Sequence, residues 1–272
     1  MKEKFYSVSL NDLSLRLPEI GGSLVVLQRN AGADSGGRAR SFAKETISEL
    51  LKSLGESDRT SVDFLVVGSD PRIGVENEAH PESLVSLQTA QEVLDGVREA
   101  FHSFNLDDKQ LLNNTAVPGG KIVEISEIKG WLPVKDSPEL MEFLVGKAQQ
   151  TGEDVAMLYE TDAYKEERER LGVEGAKDIA ARVENFLSFS RGSTNYHAKH
   201  NNRRLIFWAV THFDTITPYL RNILAHPAEC SDIISVDHLG GVVINIKNDH
   251  TATVTVQKRE YETYLRFPLV TG

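Results

Sequence analysis

Three short apolar runs restrict the fold of this chain more than any other feature. SLVVLQ at 23–28, SVDFLVVGSD at 61–70 and RLIFWAVTH at 204–212 are rich in β-branched and bulky residues and show little polar alternation. A half-exposed strand would alternate, so these runs read as strands covered on both faces. Helical patterns separate them. SFAKETISELLKSL (41–54) sets Phe42, Ile47, Leu50, Leu51 and Leu54 on one stripe. A segment from about Pro81 to Phe104 does the same with Leu84, Leu87, Val93, Leu94 and Val97, and TITPYLRNILA follows the third run. Amphipathic stripes of this kind cover a sheet with one face. Strands alternating with helices predict an α/β protein, a three-layer α/β/α sandwich around a mostly parallel central sheet.

The remaining segments fit around that frame. Residues 1–22, containing SVSLNDLSLRL, read as an N-terminal arm or an edge strand, and 23–272 as a single domain, because no linker rich in Pro, Gly or Ser divides it. KIVEISEI (121–128) reads as a further strand or extended segment. DSPELMEFLVGK reads as a helix capped by Asp136 or Ser137 with Pro138 in its first turn. The charged stretch 162–189 is helical in pattern and interrupted near Gly172 and Gly175. Within it, AYKEERERLG reads as an exposed face with i,i+4 charge pairs. STNYHAKHNNRR reads as a solvated loop. Its His197 and His200 have too few carboxylates nearby to argue for a metal site. From about residue 241 the tail holds the strand-like runs GVVINI, ATVTVQ and TYLRFPL, the first two joined by a turn at Lys247–His250. These strands either extend the sheet or form a homodimer contact.

Composition excludes several functions. Among 272 residues the net charge is −10, which opposes nucleic acid as the main partner, because phosphate backbones need basic stripes. Cys230 is the only cysteine, so an intrachain disulfide is impossible and a thiolate-rich metal site is disfavoured. No run reaches membrane-spanning length and the first residues lack a signal-peptide core, so a cytoplasmic location and no membrane partner are expected. GADSGG lacks the lysine and spacing of a P-loop and the pattern of a dinucleotide fingerprint. No cofactor and no metal are expected.

In open α/β sheets ligands bind beyond the carboxyl ends of the strands. Here those ends carry Gln28-Arg29-Asn30, Gly68-Ser69-Asp70 with Arg72, and Thr211-His212. An arginine fork suits phosphate or carboxylate oxygens through paired, charge-assisted hydrogen bonds, and a histidine adds a donor. The plainer alternative pairs Arg29 with a local carboxylate and makes His212 a structural histidine.

The order of five segments resembles the histidine phosphatase superfamily, the phosphoglycerate mutase-like fold. They are LVVLQRNAG, then VVGSDPRI with LVSLQTAQEVL, then ISEIKGW, GVEGAKDIAARVENFL and FWAVTHFDTI, spanning about residues 23–225. In that family the first strand ends in Arg-His-Gly and the histidine becomes phosphorylated. The resemblance implies phosphate binding by Arg29, with Asn30 in the nucleophile's place and Ala31 in the glycine's. Ser69, Thr89 and Ala90 match the second motif, but Val85 occupies its arginine position. Arg72, ahead of an insertion of about ten residues (IGVENEAHPE), is the candidate substitute. Glu127 falls at the acid position. His212 matches the second histidine, followed by Phe213 instead of glycine. Asp214 is out of register with the acid phosphatase branch and is assigned no role.

An asparagine carboxamide has no basic nitrogen to accept a phosphoryl group. The resemblance therefore implies a pseudophosphatase, binding a phosphorylated small molecule or phosphoprotein through Arg29, Asn30, Arg72 and His212, or acting as a scaffold. The alternative is an active phosphomonoesterase in which Arg29 and His212 clamp the phosphoryl group, water attacks directly and Glu127 moves the proton. A third reading is a purely structural fold whose pocket is filled by Phe213 and the insertion.

Overall fold

Three of the strands expected from the apolar runs lie side by side. A computed structural model describes residues 6–8, 15–32, 36–69, 81–116, 120–129, 138–152, 158, 164–171, 174–223, 233–247, 251–256 and 259–264. The strands are β1 (Tyr6–Val8), β2 (Ser23–Arg29), β3 (Val62–Ser69), β4 (Val123–Ile125), β5 (Arg204–Thr211), β6 (Ile233–Val236), β7 (Gly241–Ile246), β8 (Thr251–Val256) and β9 (Arg259–Tyr264). The main sheet has the order β4-β3-β5-β2-β7-β8-β9. Its first four strands are mutually parallel, and β7, β8 and β9 continue it as an antiparallel meander. The α/β sandwich is as expected, and its sheet is mixed. The C-terminal strands extend the sheet, the third starting at Arg259, earlier than its sequence pattern indicated. Strand β1 pairs in parallel with β6, apart from the seven strands.

Helices cover both faces. They are α1 (Arg38–Ser53), α2 (Glu56–Thr60), α3 (Pro81–Ser103), α4 (Leu112–Ala116), α5 (Pro138–Thr151), α6 (Lys165–Arg170), α7 (Ala176–Asn201) and α8 (Phe213–Ile223). Alternation along β2 decides which side chain meets which layer. Leu24 and Val26 pack with α1 and α3, around Ala43, Ile47, Val93, Val97 and Trp208. Val25 and Leu27 pack with α7 and α8, around Val183, Phe186, Ile216 and Tyr219. Burying both faces of the parallel strands removes the alternation from their sequence.

Two glycines set the spacing. A Cβ at Gly96 would stand 2.2 Å from the carbonyl oxygen of Arg40, so the close crossing of α1 and α3 requires its absence. At Gly241 a Cβ would lie 2.2 Å from the Leu27 carbonyl oxygen, where β7 joins β2. Gln28 is buried between these layers. It accepts from Trp208 Nε1 at 2.8 Å and donates to the Leu239 carbonyl at 3.0 Å, which satisfies a polar group inside the core.

One segment departs from its reading. STNYHAKHNNRR is not a loop: α7 runs through it to Asn201, and Asn202 ends the helix in the left-handed conformation at φ 53°. The pattern lacks apolar periodicity there because polar contacts replace it. Ser190 and Thr194 bond carbonyls one turn back, and His197 Nε2 meets Asp63 Oδ2 at 2.5 Å. Arg203 completes the cluster, with Nη2 2.5 Å from Asp63 Oδ1 and Nε 2.7 Å from Oδ2. His200 turns back to the Tyr196 carbonyl instead, so the two histidines do not converge. Asp136, Ser137, Gly172 and residues 265–269 lie outside the described residues.

Candidate functional site

Strand register aligns the chemistry. Arg29 pairs with Thr211, Gly68 with Val210, and Ser69 with Ile125, so β2, β5, β3 and β4 end at one level. Asn30 and His212 stand one residue beyond. Their backbones stay joined there, with Asn30 N–H donating to the Thr211 carbonyl at 2.8 Å.

The alternation that divides the core also divides these residues. Arg29 leaves on the α8 face. Its Nη1 donates to the Val236 carbonyl at 2.5 Å, Nη2 lies 3.4 Å from His238 Nε2, and the guanidinium stacks 4.9 Å from the Phe213 ring centre. A guanidinium has five N–H donors, and these contacts engage two of them. Burial pulls its pKa below the ordinary arginine value, against the attraction of Asp214 and Asp237.

Asn30 and His212 turn to the α3 face. Asn30 is 8% exposed and both ends of its carboxamide are used. Gly32 N–H donates to Oδ1 at 3.1 Å, which directs Nδ2 toward His212 Nδ1, also at 3.1 Å. Because Nδ2 donates, Nδ1 accepts, and the neutral ring carries its proton on Nε2. Nε2 is 2.8 Å from Ser86 Oγ on α3 and donates to it. Next to this chain, Thr89 Oγ1 accepts from Ala31 N–H at 3.1 Å. The first turns of α3 are thereby tied to the loop after β2.

Glu127 does not lie on a strand. It sits on a single 3-10 turn, Ser126–Ile128, after the edge strand β4. Adjacent strands are about 4.8 Å apart, so β4 stands roughly 10 Å from β5 across β3. The turn nevertheless folds back toward β5. Thr211 Oγ1 bonds the Ile128 carbonyl, and Thr215 Oγ1 donates to the Lys129 carbonyl at 3.0 Å. Arg182 of α7 holds the same turn, its Nη1 donating to the carbonyls of Ser126, Glu127 and Lys129 at 3.3, 2.9 and 3.2 Å. The Glu127 carboxylate accepts from Ser126 Oγ at 3.0 Å. Arg72 lies outside the described residues.

The structure thus brings Asn30 and His212 together directly, carries Arg29 to the other face, and leaves Glu127 on a turn anchored to the end of β5. Three contributors escaped the sequence reading: Ser86, Arg182 and His238. Ser86 was within reach of it, one position after Val85 in the segment matched to the second motif. His238 reaches Arg29 across a separation of 209 residues, and no local pattern marks such a pairing.

No family model matches the sequence, and no curated protein matches it. Among solved structures the chain is similar to a crystal structure of phosphoglycerate mutase from Plasmodium falciparum. The identity is 12% and the TM-score 0.37, with 89% of this chain and 97% of that chain covered.

Proposed function

We propose that this chain is a phosphate-binding relative of the histidine phosphatases that does not form a phosphohistidine. The observation that carries this reading is Asn30. At the position where the family motif has its nucleophile stands a carboxamide, buried and bonded at both ends to Gly32 and His212. Such a group neither attacks phosphorus nor accepts a proton near neutral pH. Arg29 remains the electrostatic anchor, with N–H donors beyond those its contacts among the described residues engage, and a half-buried position that strengthens each charge-assisted bond. Since Arg29 and His212 leave on opposite faces, a ligand touching both sits beyond the strand tips. Phe213, 40% exposed and stacked on Arg29, borders that position.

The ligand's shared chemistry is a phosphate group, carried by a small molecule or by a phosphoprotein. The test is thermal melting against inorganic phosphate, vanadate and a phosphopeptide, alongside turnover of a generic phosphomonoester. A melting temperature that rises with phosphate, without turnover, is the expected result. A rise with the phosphopeptide at far lower concentration than with phosphate identifies the protein ligand. Turnover abolished by His212→Ala and reduced by Glu127→Gln refutes the non-catalytic reading and supports direct water attack. The turn contacts that tie Glu127 to the end of β5 favour that second reading. In Asn30→His, a gain of turnover would mean that the missing imidazole alone had silenced the site.

A further inference from the structure

His238 lies in the turn between β6 and β7 and is fastened at both ring nitrogens. Nδ1 is 3.2 Å from the Asn30 carbonyl oxygen. A carbonyl only accepts, so Nδ1 carries the hydrogen. The neutral ring then has its lone pair on Nε2, which accepts from Arg29 Nη2 at 3.4 Å. The ring rests on Gly32, where a Cβ would come within 3.1 Å of Cε1 and where φ is +78°. Histidine, guanidinium and loop 30–32 therefore form one packed unit at the end of β2. His238 is itself solvent-exposed, so a ligand can reach it.

Protonation changes the sign of this contact. A second proton on the ring must sit on Nε2, facing the guanidinium, and two cationic donors then oppose each other. An oxyanion that accepts from both relieves the conflict. Among the described residues, the carboxylates that attract Arg29 are Asp214 on α8 and Asp237, next to His238 in the chain. We infer that His238 is a second anion-binding residue of this site, converted from an acceptor for Arg29 into a donor to the ligand by taking up a proton as a tetrahedral oxyanion binds. This rests on the reading of Arg29 as the anion anchor. It adds that binding is linked to one proton, so that affinity falls as pH rises.

Sulfate is the suitable probe, because it stays a dianion where phosphate itself titrates. Calorimetric titration at pH 5.5 and 7.5, in two buffers of different ionisation enthalpy, measures both affinity and proton uptake. The wild type is expected to bind on the order of tenfold more tightly at pH 5.5 and to take up a proton, within the limit of about tenfold per pH unit set by one linked proton. In His238→Gln the pH dependence and the uptake disappear. His238→Lys, a fixed cation, binds at both pH values without uptake, and Arg29→Ala loses binding. If the wild type binds without proton uptake, or His238→Gln matches it at both pH values, the role of His238 is overturned while Arg29 stands. If the wild type binds no sulfate at either pH, the anion site and this inference fall together.

Discussion

Removing the Asn30 carboxamide tests the arrangement at its centre. Asn30→Ala deletes two hydrogen bonds of 3.1 Å, one from Gly32 N–H and one to His212 Nδ1. An orphaned polar group costs about 1–3 kcal/mol when buried. Asn30 is 8% exposed, while Gly32 and His212 are partly exposed, so water recovers some of the loss. A total of roughly 2–4 kcal/mol follows for the two groups. For a chain of this length it lowers the melting temperature by roughly 5–15 °C. Asn30→Asp is the informative partner. Its oxygens still accept from Gly32, but the oxygen facing His212 now requires a hydrogen on Nδ1, which leaves Nε2 able to accept from Ser86. Stability is expected to remain closer to wild type than in Asn30→Ala, while the ring proton moves from Nε2 to Nδ1. Calorimetric melting measures the first effect, and nitrogen NMR of labelled histidine reads the second. An Asn30→Ala protein that melts with the wild type, or a wild-type His212 protonated at Nδ1 alone, would falsify the reasoning.

Two further substitutions probe the frame that holds the site. Asp63→Ala removes an almost wholly buried carboxylate and strands its partners Arg203 and His197, and is expected to cost about 3–5 kcal/mol in urea unfolding; a loss below about 1 kcal/mol would show the cluster to be ornamental. Tyr219→Phe removes a fully buried hydroxyl that has no hydrogen-bond partner among the described residues. It is expected to stabilise by about 1 kcal/mol, since desolvation of the unbonded hydroxyl is no longer incurred. Burial, and then the charge of Glu184, raise this phenol far above the usual tyrosine range. Alkaline spectroscopic titration should therefore show Tyr219 ionising only as the protein unfolds. A clear destabilisation in Tyr219→Phe would mean that the hydroxyl has a role.

Local sequence carried the frame because its signals are local. The runs at 23–28, 61–70 and 204–212 became β2, β3 and β5, since a strand buried on both faces must be apolar throughout. The helices α1, α3 and α8 lie where their stripes fell, and Arg29, Asn30 and His212 stand at strand ends. Even the divergence of Arg29 from Asn30 was implicit, because neighbours in a strand point to opposite faces. What tertiary structure alone decided is who meets whom. The Asn30 carboxamide sets the tautomer of a histidine 182 residues away, and Arg29 lies beside His238, 209 residues distant. The same holds for α7, which runs through an apparent loop because Asp63 receives His197 from across 134 residues. Apart from that stretch of α7, the strands and helices follow the residues within them, whereas a hydrogen-bond partner is chosen by the register of strands and the crossing of helices. Those depend on the whole core closing at once.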